Sequence, residues 1–103
     1  MNEHLLQDMC NLWCKVLEDL LDNTYREISG RTKFLVLKGN KYWRIISKDN
    51  GHESVHAFLE VATGNIYKPA SWRAPAKHIR FNIFQNDFLQ QVKDPHGGYL
   101  YMK

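Results

Sequence analysis

The sequence predicts an α+β fold, one N-terminal helix followed by an antiparallel β-meander, and three observations carry that prediction. Apolar residues recur at three- and four-residue spacing through the first two dozen positions. From Thr32 the pattern changes to short β-branched and aromatic runs separated by Gly, Asn and Asp pairs. The length of 103 residues suits one hydrophobic core and is too short for two, so residues 1–103 read as a single domain.

The helix rests on Leu5, Met9, Leu12, Trp13, Val16, Leu17, Leu20 and Leu21, with Asp8, Lys15, Glu18, Asp19 and Asp22 between them. That spacing places an apolar stripe on one side of a helix over residues 3 to about 24. Asn2 is a candidate cap for its start, and Asn23 or Ser29-Gly30 for its end. Cys10 and Cys14 fall inside the same pattern and read as small buried hydrophobes. They offer no disulfide framework.

Four strands follow. Phe34–Leu37 and Tyr42–Ile46 are joined by Gly39-Asn40, a pair that tolerates the positive φ of a tight hairpin turn. Asp49-Asn50-Gly51 leads to Ser54–Glu60, and Thr63-Gly64 to Asn65–Lys68. Pro69 and Pro75 then frame an irregular stretch, because proline removes a ladder donor and restricts the residue before it. Phe84, Phe88, Leu89 and Val92 suggest a short second helix, ended by Asp94-Pro95 and Gly97-Gly98. The tail, Tyr99-Leu100-Tyr101-Met102, reads as a C-terminal edge strand.

Composition bounds the function. At 44% hydrophobic and 13% aromatic the chain has the material for a packed core, which argues against disorder. No run approaches the roughly 20 apolar residues of a membrane span, and the N-terminus lacks the basic start of a signal peptide, so a cytoplasmic protein is expected. The net charge of +3 is unevenly spread: residues 1–29 carry −4, whereas residues 61–86 carry +4 with no acid. A one-signed segment of that kind concentrates anions around it.

That basic segment, residues 67–80, is where chemistry concentrates. It combines Lys68, Arg73, Lys77 and Arg80 with Trp72, Tyr67, Ser71 and His78 on a loop stiffened by proline. Arginine forks onto two phosphate oxygens, lysine acts as a point charge, and an aromatic face stacks on a base. Ser54 and His56 on the third strand are further candidate hydrogen-bonding groups for the same ligand. The structural alternative is that the cations are solvated and the rings cover the end of the core.

Other chemistries are less well supported. No Cys-x-x-Cys or His-Glu-x-x-His pattern occurs, so no metal is expected, and no cofactor. Ser71, His78 and Asp87 can be written as a hydrolase triad, but no Gly-x-Ser-x-Gly elbow accompanies them. There is neither a phosphate-binding Gly-rich loop nor a dinucleotide fingerprint, so a nucleotide would be held by side chains.

The runs Ser54-Val55-His56-Ala57-Phe58, Thr63 through His78, and Gly98-Tyr99-Leu100-Tyr101 resemble a family of small tailed-bacteriophage proteins of unassigned activity. The resemblance covers residues 54 to 82 and the last few. It implies a phage accessory protein acting in the cytoplasm of an infected bacterium. By analogy of size and setting it implies a type similar to the anti-defence sponges, homo-oligomers that sequester nucleotide signals of the Thoeris and CBASS immune systems. The leading expectation is therefore a non-enzymatic protein that binds a small phosphorylated nucleotide without cleaving it. A nucleic-acid-binding accessory protein is the alternative. A third is an inhibitor that binds a host enzyme through exposed aromatics such as Tyr99 and Tyr101.

Overall fold

The structure, a computed structural model, describes residues 3–24 and 32–101. Helix α1 spans Glu3–Thr24, the range the apolar spacing predicts. Its buried seam runs through Leu6, Cys10, Trp13, Cys14, Leu17 and Leu21, whereas Leu5 and Leu12 are each 49% exposed. The cysteines take the structural role expected of them, and burial pushes both thiols up to about 12. Asn23 lies within the last helical turn; the Asn2 and Ser29-Gly30 caps lie outside the described residues.

Five antiparallel strands form one sheet in chain order: β1 (Thr32–Leu37), β2 (Tyr42–Asp49), β3 (His52–Glu60), β4 (Asn65–Tyr67) and β5 (Phe81–Asn82). The first four are the predicted meander. The tight primed turn, however, sits at Asn50-Gly51, with φ of 57° and 87°, closing the pair Asp49↔His52. The Gly39-Asn40 connection is longer, and Gly39 is needed for space rather than for φ. A Cβ there would lie 2.6 Å from the carbonyl oxygen of Tyr42.

The edge position beyond β4 belongs to Phe81–Asn82, not to the C-terminal tail. Residues Gly98–Tyr101 form a 3-10 turn in which Tyr99 and Leu100 are both buried. A strand sends successive side chains to opposite faces, so it cannot bury two neighbours on one side; a helical turn can. Asp94 sets up this reversal by accepting the N–H groups of His96 at 2.9 Å and Gly98 at 3.2 Å. The second helix, α2, is a single turn, Phe88–Gln91, with Phe88 buried.

The sheet has two unlike faces. On the helix side, Trp13 and Leu17 pack with Phe34, Trp43, Ile45, Leu59, Ile66, Phe88 and Leu100 in one continuous core. β3 carries an extra residue there: Ile45 pairs with Ala57 and Ile46 with Val55, so His56 bulges between them. The other face carries the cross-strand row Arg44, Phe58 and Tyr67. Phe58 is fully buried yet lies outside the main core. Tyr42 meets its ring edge-on at 5.9 Å, and the Arg44 guanidinium lies 5.4 Å from its centroid.

The free edge of β1 is shielded. Glu18 on α1 accepts the outward N–H of Phe34 at 2.9 Å, occupying a donor that would otherwise invite another strand. Among the described residues no helix is long and apolar enough to cross a membrane.

Candidate ligand-binding site

The segment between β4 and β5 folds on itself before it touches anything else. Lys68 accepts the N–H of Ala76 at 2.8 Å, and Pro69 and Pro75 face each other in a single antiparallel bridge. At the tip the Ala74 carbonyl accepts the N–H groups of Ala70 and Ser71, at 3.0 and 3.1 Å. The Ser71 hydroxyl accepts those of Arg73 and Ala74, at 3.3 and 3.2 Å. Such a side-chain-capped turn between prolines is held by its own bonds. Arg44 then fastens the loop to the sheet, its Nε donating to the Trp72 carbonyl at 3.0 Å. Trp72 itself remains 42% exposed.

Two concavities lie side by side where this loop meets β3. The first is a polar notch of about 150 Å³ whose walls include Ser47, Ser54, His56, His96 and Tyr101. The ammonium of Lys68 stands 4.5 Å from the ring centroid of Tyr101, at the edge of the notch. The second is a groove of about 330 Å³ walled by Glu53, Ser71 and Trp72. Both share Ser54, Val55 and Pro69, so they form one continuous surface.

His56 forms the back wall of the notch and is only 8% exposed. Its Nε2 lies 2.6 Å from the Tyr99 hydroxyl, which accepts the indole N–H of Trp13 at 2.9 Å. An indole can only donate, so Tyr99 accepts from Trp13, and which partner of the Tyr99–His56 bond donates is set by the imidazole tautomer. Burial pushes the His56 pKa down to about 4, opposed by Asp94 and reinforced by His96, so the ring is neutral at pH 7. Burial also pushes the Tyr99 hydroxyl up, which keeps its proton in place. Gly97 beside the imidazole has a φ of 89°, a backbone conformation that favours glycine.

Of the ten residues the sequence singles out, Ser54, His56, Ser71 and Trp72 line these concavities; Lys68 lines neither, but its ammonium stands over the ring of Tyr101, which lines the notch. Arg73 is exposed on the loop next to Trp72 and lines neither concavity. Lys77 and His78 are also exposed and line neither. Tyr67 lies in the row of Arg44 and Phe58, lines neither concavity, and donates to the Glu60 carboxylate at 3.3 Å. Arg80 lines a different cavity beside Phe81 and Tyr99. The basic segment therefore does not close as one ring of cations around a single pocket.

Several roles also change. His56 spends Nε2 on Tyr99, and Ser71 spends its oxygen on the turn. The Asp87 carboxylate accepts from Gln85 and Gln91, which does not join it to Ser71 or His78. Tyr99 is buried and cannot serve as an exposed anchor, while Tyr101 is exposed. Among the described residues no group of three or more His, Cys, Asp or Glu is placed to hold a metal ion.

Sequence reasoning missed Ser47, Glu53, His96 and Tyr101 as site residues. A signal existed for two of them. Once the hairpin closes at Asn50-Gly51, counting outward pairs Lys48 with Glu53 and Ser47 with Ser54.

Comparison with known proteins adds one finding: the profile of a family of unknown function, DUF7717, matches residues 1–102, and the chain belongs to that family. No curated protein and no solved structure matches it.

Proposed function

We propose that this DUF7717 member is a binding protein that holds a small phosphorylated nucleotide without cleaving it, with a phosphate in the notch and the base on Trp72 in the groove. The observation that supports this reading is the adjacency of the two concavities. A polar notch with Lys68 at its edge shares a wall with a groove that presents an exposed indole on a self-bonded loop.

The chemistry is complementary. The hydroxyls of Ser47 and Ser54 can donate to phosphate oxygens, and Lys68 supplies charge. Stacking on Trp72 contributes about 1–3 kcal/mol for any base. The Glu53 carboxylate, which lines the groove, suits an exocyclic amino group or a sugar hydroxyl. A loop already shaped by its own bonds loses little freedom on binding. In the phage setting that the motif resemblance implies, tight binding without turnover would sequester a nucleotide immune signal in the host cytoplasm. A second copy of the chain would then add its own cations to the ligand's surroundings.

Calorimetric titration with AMP, ADP-ribose and cyclic di-AMP, followed by mass spectrometry of the recovered ligand, tests the reading. We expect saturable binding of at least one of the three, intact recovery, and at least about tenfold weaker binding in Trp72→Ala and in Lys68→Ala. Absence of saturable binding by all three overturns it. Affinity that climbs with oligonucleotide length and falls steeply with salt would instead establish a nucleic-acid track.

A further inference from the structure

The largest of the concavities described so far is not the notch or the groove but the space beneath the C-terminal turn. Phe81 on β5 and Tyr99 on the 3-10 turn stand side by side, their ring centroids 6.0 Å apart and tilted by 42°. With Arg80, Gln91, Lys93 and Asp94 they enclose about 450 Å³. It shares no lining residue with the other two concavities.

The wall is divided by chemistry. Two aromatic rings form its apolar part. Arg80 and Lys93 bring positive charge and hydrogen-bond donors only, and Gln91 adds an amide. Asp94 is the one acid, and its two carboxylate oxygens are turned to the N–H groups of His96 and Gly98, where they brace the turn. The lining therefore carries net charge +1, and its two cations suit a ligand with negative charge. Guanidinium is suited to grip a carboxylate or phosphate with two parallel bonds. The volume falls in the range of about 300–1,000 Å³ that holds organic ligands, and a bare inorganic anion would leave the rings uncovered.

We infer that the cavity walled by Phe81, Tyr99, Arg80 and Lys93 is a second binding site, for a small organic anion that carries one flat ring. The ring lies against Phe81 and Tyr99, and the anionic group reaches Arg80 and Lys93. The site stands apart from the nucleotide reading, because it uses none of the same lining residues. It meets the notch through Asp94, which accepts the N–H of His96, and through Tyr99, whose ring walls the cavity while its hydroxyl joins Trp13 and His56. The indole N–H of Trp13 is thus a reporter of occupancy from the buried side.

An amide NMR titration of the full chain with phenyl phosphate, benzoate and inorganic phosphate tests this. We expect saturable shifts at Phe81, Gln91 and Gly98 and at the Trp13 indole N–H, with a Kd below about 1 mM for one or both ring-bearing anions. The phenyl phosphate and benzoate arms decide whether phosphate esters or carboxylates are preferred. Binding should be about tenfold weaker in Lys93→Gln and Arg80→Gln and unchanged in Trp72→Ala. Shifts confined to Ser54 and Ala70–Trp72, equal response to inorganic phosphate, or no saturation below that concentration would overturn the inference. So would wild-type affinity in Lys93→Gln, whose exposed side chain the fold does not need.

Discussion

The two faces of the sheet are covered by opposite means. On one, α1 lays down a seam of large side chains and the cover is held by burial: Trp13, Leu17, Ile45 and Leu59 have no exposed surface. On the other, a proline loop whose tip, Ala70 to Ala74, is exposed is held by backbone bonds, a serine cap and the Arg44 tie to Trp72. Burial of apolar area is strong and non-directional, so the helix face supplies stability and tolerates no gaps. Hydrogen bonds among exposed groups contribute little net stability but fix geometry, so the loop face can offer an indole and a lysine to solvent without loosening the core.

Three experiments would break or sharpen that contrast. The largest effect is expected for Trp13→Ala. It opens a cavity between α1 and Phe88 and removes one of the two hydrogen-bond partners of the Tyr99 hydroxyl, and should cost about 3–5 kcal/mol in urea denaturation. A loss below about 1 kcal/mol would mean that the helix face is not the stabilising one.

The second concerns pH. His56, ordinarily near 6.5, is held at about 4 in the folded chain because burial disfavours its charged form. Between those values the unfolded chain takes up a proton that the folded chain refuses. The stability contribution is therefore fully present above about pH 6.5 and is lost as pH falls toward 4, by at most about 3 kcal/mol. Urea midpoints measured across that interval should show the slope, and His56→Gln should flatten it; an unchanged slope would assign the acid sensitivity to other groups.

The smallest effect is expected for Ser71→Ala. Global stability should change by less than about 1 kcal/mol, while hydrogen exchange at the Arg73 and Ala74 amides accelerates. A large global loss would show the loop to be part of the cooperative core.

Much of the fold was legible because its periodicities are local. The α1 seam and the four-strand meander follow from spacings of about 3.6 and 2 residues. The C-terminal tail was misread because Tyr99-Leu100-Tyr101 alternates only weakly. What decides its conformation is Asp94, which turns the chain inward, together with the distant partners Trp13 and His56. The tight turn was placed at Gly39-Asn40 and not at Asn50-Gly51, since both pairs tolerate positive φ and only the sheet register separates them. At the site, sequence reasoning collected cations that are neighbours in the chain. Folding sent Lys68 toward Tyr101, Arg80 toward Phe81 and Tyr99, and left Lys77 exposed.

The sequence by itself determined the class of the fold, the range of α1, the order of the main strands and the basic, aromatic character of the loop, because each is written in residues close along the chain. Only tertiary structure decided which of those residues share a surface. The bulge that turns His56 inward, the pairing of Ser47 with Ser54 and the meeting of Tyr99 with Trp13 each depend on contacts between residues far apart in sequence. No local spacing encodes such contacts; they are selected by packing and by the need to satisfy buried polar groups.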